Sequence, residues 1–64
     1  MATEVERIDY GMTDKGQVVV IVKGHYSDDG EKLIKTYEVR HGVRTVGEYP
    51  TRLGAVRVAQ ALAA

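Results

Sequence analysis

Three features of the sequence predict an α+β fold: an antiparallel β-meander of three or four strands, with one C-terminal α-helix packed on one face. The run Val18-Val19-Val20-Ile21-Val22 is β-branched throughout, which suits a pleated strand and disfavours helix. Asp- and Gly-bearing turns recur at short intervals ahead of Pro50, and short turns between apolar runs build hairpins. After Pro50 the chain becomes rich in Ala, Leu and Arg, all strong helix formers.

The first strand is read over Thr3 to Tyr10, with Ile8 and Tyr10 on one side and Glu4 and Glu6 toward that same side, since side chains alternate with period two. Thr13-Asp14-Lys15-Gly16 is a turn, because Asp tolerates turn geometry and Gly supplies positive φ. The second strand runs from Gln17 to Tyr26, and Ser27-Asp28-Asp29-Gly30 is a turn of the same chemistry. The third strand is expected from Glu31 to Val39, with Leu33, Tyr37 and Val39 on one face. Arg40-His41-Gly42 turns it into a fourth strand, Val43 to Tyr49, which Gly47 shortens and Pro50 stops. Thr51 is placed to cap a helix over Arg52 to Ala63. At 100° per residue Ala55, Val56, Val58, Ala59, Leu62 and Ala63 share one side, opposite Arg57 and Gln60. Gly54 in the first turn costs about 1 kcal/mol relative to Ala; it marks either a close backbone approach or a neutral glycine.

All 64 residues read as a single domain, small enough that only roughly 60% of the unfolded surface is buried on folding. There is no cysteine, so neither a disulfide nor a cysteine-based zinc site can staple the core. No metal or cofactor is expected from His25 and His41, which stand apart. Asp28-Asp29-Gly30-Glu31 lacks the alternating oxygen ligands of a calcium loop. The charged start has no apolar core segment, and Val18 to Val22 is far too short to cross a bilayer. The expectation is therefore a cytoplasmic protein with no membrane role.

Catalysis needs converging groups held in a pocket. The only serine, Ser27, lies in a turn, and no P-loop, G-x-S-x-G, H-E-x-x-H or G-x-G-x-x-G is present. The chain is read as non-catalytic, without a small-molecule substrate. The second strand instead points to a partner. It is apolar on both faces, and one helix covers only one face. A continuous β-branched run signals burial on both sides. Val19 and Ile21, joined by Ile34 and Val46, are the candidate protein interface, and a homodimer is the commonest closed solution. The leading reading is a small adaptor, accessory or phage-type host-modulating protein that self-associates through its sheet.

Nucleic-acid binding is the alternative. Nine basic residues balance nine acidic ones, but residues 1–34 carry a net −3 and residues 35–64 a net +3. Lys35, Arg40 and Arg44 lie around the third hairpin and Arg52 opens the helix, which makes these four the candidate phosphate contacts. The run Tyr37 to Ala59, two strands about a Gly turn followed by Tyr49-Pro50-Thr51 and a helix with Ala55 and Ala59, resembles the strand–strand–helix end of integrase amino-terminal arm-binding domains. It is similar also to ethylene-response DNA-binding domains and to small bacterial and phage domains of the same ending. The match covers about a third of the chain. The resemblance implies that Arg40 and Arg44 touch DNA from the sheet, while Thr51, Ala55 and Ala59 pack strand to helix. The chain departs from those families in having no basic excess, no Trp and no Phe.

Overall fold

The β-branched run of the second strand decides the architecture, because it must be covered above and below. In the computed structural model, which describes residues 3–64, the elements are β1 (Thr3–Thr13), β2 (Gly16–Tyr26), β3 (Leu33–His41), β4 (Arg44–Tyr49) and α1 (Arg52–Ala63). They form the expected meander. One antiparallel sheet has the order β1-β2-β3-β4, and the helix packs on one face.

Val18 and Val20 of β2 and Val39 of β3 meet Ala55 and Ala59 of α1 in a fully buried cluster. Two alanines allow the helix to sit close to the sheet, and Tyr10, Tyr37, Tyr49, Val58 and Leu62 close the margins. Thr51 caps the helix in an extended conformation, accepting from the Gly54 N–H at 3.2 Å. A Cβ on Gly54 would lie 3.2 Å from that same hydroxyl, so the glycine leaves room for the cap. The Tyr49 ring lies over Gly47, whose absent Cβ would stand 3.0 Å from the Tyr49 hydroxyl oxygen. The aromatic thus covers the gap that a strand glycine leaves.

Three irregularities alter the phase of the strands. The register of β1 shifts between Glu4 and Glu6 and again between Asp9 and Met12; that of β4 shifts opposite Val39/Arg40. Glu6 pairs with Val22 on the helix side, whereas Glu4 pairs with Lys23 on the other. The expectation that Glu4 and Glu6 share a face fails because Val5 is an extra residue between them. The second shift carries β1 past Tyr10 to Thr13. Gly11 takes a φ of 103° there, and its N–H donates to Asp9 Oδ1 at 2.7 Å. The turn after β2 is also wider than four residues. Asp29 Oδ1 accepts from the Glu31 N–H, and Ser27 N–H donates to the Lys32 carbonyl at 2.8 Å. Glu31 and Lys32 therefore belong to the turn, and β3 starts at Leu33.

At one end the β1–β2 and β3–β4 turns interlock. Gly42 N–H donates to the Gln17 carbonyl at 2.8 Å. Gly16 and Gly42 both have positive φ, and a Cβ on Gly42 would lie 2.5 Å from the Lys15 carbonyl oxygen. Gly42→Ala is therefore predicted to cost about 2–4 kcal/mol, combining left-handed strain with a backbone clash. Gly30 has a similar φ of 74° but open space around it, so Gly30→Ala should cost only about 1–2 kcal/mol. Urea unfolding of the two variants checks this; equal losses would show that the turn contact contributes nothing.

Candidate interaction surface

The face of the sheet away from the helix carries Val19 and Ile21, but it is not bare. Their exposures are 5% and 2%. Register explains the cover: Arg7 and Glu38 flank Ile21, while Asp9 and Arg40 flank Val19. Long polar side chains lay their aliphatic stems over apolar neighbours and keep their heads in water. The apolar outer face expected from the sequence is thus roofed by the chain itself. Ile34 lies on this face opposite His25 and remains 42% exposed. Val46 does not join it. As the extra residue of β4, it lines a groove with Leu62 and Arg44, on the helix side, because the bulge re-phases the strand.

Glu38 is the centre of the polar roof. It is buried, with Lys23 against Oε1 and with Arg40 Nε at 2.6 Å and Thr45 Oγ1 at 2.8 Å donating to Oε2. Burial by itself raises the pKa of this carboxyl. The hydrogen bonds from Lys23, Arg40 and Thr45 outweigh that effect and hold it down at about 2, since each favours the charged form. Lys23 also stands 3.9 Å from Glu48, and Arg7 pairs with Glu4 at 3.0 Å. Both signs of charge are interleaved across the face.

The four candidate phosphate contacts are not brought together. Arg40 lies on the outer face and is committed to Glu38. Arg44 is opposite His41 on the helix side. Lys35 is opposite Gly24 on that same side, but six residues along β3 place it about 20 Å from His41. Arg52 pairs with Glu6 at 2.8 Å and lies over the Tyr37 ring at 5.8 Å. Ala55 and Ala59 do pack strand to helix; the two arginines that the resemblance implies would touch DNA lie on opposite faces.

What gathers apolar surface is the end of the sheet beyond the helix, and composition alone does not point to it. An 11-residue strand spans about 36 Å and a 12-residue helix about 18 Å, so α1 covers only half the length of β2. The sheet is correspondingly long, in a molecule of 43 × 20 × 15 Å. β4 ends at Tyr49 opposite Tyr37; past that point β1 still pairs with β2 as far as Thr3 opposite Gly24, and among the described residues β2 and β3 then continue alone as a two-stranded ribbon to the Ser27–Lys32 turn. Val5, Tyr26, Leu33 and Ile34 are all exposed there. A Cβ on Gly24 would touch Val5 at 3.2 Å and Leu33 at 3.3 Å, so these two apolar side chains meet over the glycine. The signal in the sequence is the length mismatch between strand and helix.

Among the described residues no cluster of three or more His, Cys, Asp or Glu is arranged to hold a metal ion, and no helix is long and apolar enough to cross a membrane.

The Glu38 carboxyl titrates near 4.5 when unperturbed and near 2 in the folded chain. Its stabilising contribution is complete above the higher value and is lost as pH falls through the lower one. Stability is predicted to drop between about pH 4.5 and 2 by on the order of 2 kcal/mol, less than the full shift because Arg40 and Lys23 are partly solvated. Glu38→Gln should lose that amount at neutral pH and flatten the acid limb. Urea midpoints measured across this range decide the matter; a variant with the wild-type acid limb would show that Glu38 is not its origin.

No protein-family model, curated protein or solved structure matches the chain, so its function is argued from geometry alone.

Proposed function

We propose that this chain is a small non-catalytic protein-interaction module that pairs with a second copy of itself through the ribbon end of β3. The observation that carries the reading is the coincidence of exposed apolar side chains with a free strand edge. Tyr26, Leu33 and Ile34 are exposed, and among the described residues no strand pairs with the outer edge of β3 from Leu33 to Thr36. An unpaired edge is a template for another strand. The β1 edge is blunted by two register shifts and by Glu4, Glu6, Arg7 and Asp9; the β3 segment carries a single charge, Lys35.

The segment is also self-complementary. In an antiparallel pair about a twofold axis centred on Ile34, Ile34 faces its own copy and Leu33 faces the partner copy's Lys35. No like charges stand opposite, whereas centring on Lys35 would oppose two lysines. This is an isologous contact of the kind that closes a dimer. The non-catalytic part of the reading is supported by the residue inventory. There is no cysteine, and the one serine is occupied in its turn with Asp29 and the Lys32 N–H. An adaptor or accessory role in the cytoplasm belongs to the same reading. Nucleic-acid binding has less support, because its four basic residues are dispersed and two of them are paired.

Sedimentation equilibrium tests the proposal. The wild-type chain is expected to dimerise between micromolar and millimolar concentration with little salt dependence, since apolar burial is not screened. Ile34→Lys would oppose two charges on the twofold and is expected to weaken association at least about 10-fold. A wild-type chain that stays monomeric at millimolar concentration would end the reading.

A further inference from the structure

At the end of the sheet opposite the ribbon, Lys15, His41, Val43, Arg44, Val46 and Leu62 line an open groove of about 440 Å³, within the size range of small-molecule sites. Its walls divide in two. Val43, Val46 and Leu62 are apolar, Lys15 and Arg44 are cationic donors, His41 adds an imidazole, and no carboxylate side chain lines it. Four of the other bases are engaged, Arg7 with Glu4, Lys23 and Arg40 with Glu38, and Arg52 with Glu6; among the described residues Lys32, Lys35 and Arg57 are not, but they do not line the groove. Among the described residues neither Lys15 nor Arg44 forms an ion pair. Two positive charges therefore share one concavity without a counter-charge.

The imidazole is held in a defined orientation. The Thr13 hydroxyl donates to the Gly16 carbonyl at 2.8 Å, so its contact with His41 Nε2 at 2.6 Å is one in which it accepts. His41 Nε2 is the donor of that contact. The floor is firm because the Gly16 and Gly42 turns interlock beneath it.

We propose that this groove binds a small organic anion, with a carboxylate or phosphate group held by Lys15 and Arg44 and an apolar body lying on Val43, Val46 and Leu62. Charge-assisted hydrogen bonds fix the head group, and burial of the body adds affinity that a bare ion lacks. The site is independent of the ribbon and of self-association.

NMR titration of the intact chain with phenyl phosphate, inorganic phosphate and benzyl alcohol tests this. Phenyl phosphate should shift the His41, Val43 and Leu62 signals saturably. Inorganic phosphate and benzyl alcohol should each bind at least about 10-fold more weakly, since each lacks one half of the ligand. Arg44→Gln and Lys15→Gln should each weaken phenyl phosphate about 5-fold or more while leaving the signals of β2 in place. Ile34→Lys should bind it as the wild type does. Absence of saturation, equal affinity for phenyl and inorganic phosphate, or wild-type affinity in both groove variants would overturn the proposal.

Discussion

The structure depends on the double burial of β2. Five consecutive β-branched residues, Val18 to Val22, are buried in a chain with only one helix to offer. The helix covers Val18 and Val20 with Ala55 and Ala59. Val19 and Ile21 are covered from the other side by polar side chains of β1 and β3, whose cross-strand neighbours are Arg7, Asp9, Glu38 and Arg40. Burying a valine or isoleucine is worth about 1.5–3 kcal/mol, so leaving that second pair in water would remove a large part of the stability of so small a domain.

Covering an apolar pair with charges has consequences for the rest of the surface. Glu38 can be buried only because Lys23, Arg40 and Thr45 meet it; unpaired, a carboxylate in that position would be strongly destabilising. The bases used in this way are withdrawn from any phosphate-binding role on that face. Lys15 and Arg44, at the glycine turns, stay outside the network and share a groove. The helix, half as long as β2, leaves the ribbon end of the sheet uncovered. Roof, groove and ribbon thus follow from how few elements the chain has with which to cover one strand.

Much of the fold was legible in the sequence. The β-branched run, the Asp/Gly turns and the change of period after Pro50 correspond to β2, the hairpins and α1, and the Thr51 cap is where the Thr predicts it. The phase of individual residues was less legible. Glu4 and Val46 sit where they do because of extra residues in β1 and β4; no glycine marks the irregularity at Glu4-Val5, and in β4 the local signal is Gly47 beside Val46. From the sequence the outer face looks bare, because alternation tells which side a residue points to and not what lies across the strand from it. Arg7 and Glu38 flank Ile21 through a pairing set by tertiary register. Lys35, Arg40 and Arg44 are near in sequence, but alternation and strand length separate them.

Amide hydrogen exchange on a dilute and on a concentrated sample tests the double burial most directly. If the chain roofs its own outer face, the amides of Val18 to Val22 are the slowest to exchange and their protection is the same at both concentrations. Only Ile34 to Thr36 should gain protection in the concentrated sample. Protection of Val18 to Val22 that appears only when the chain is concentrated would contradict the account, because it would mean that a second molecule is needed to cover Val19 and Ile21.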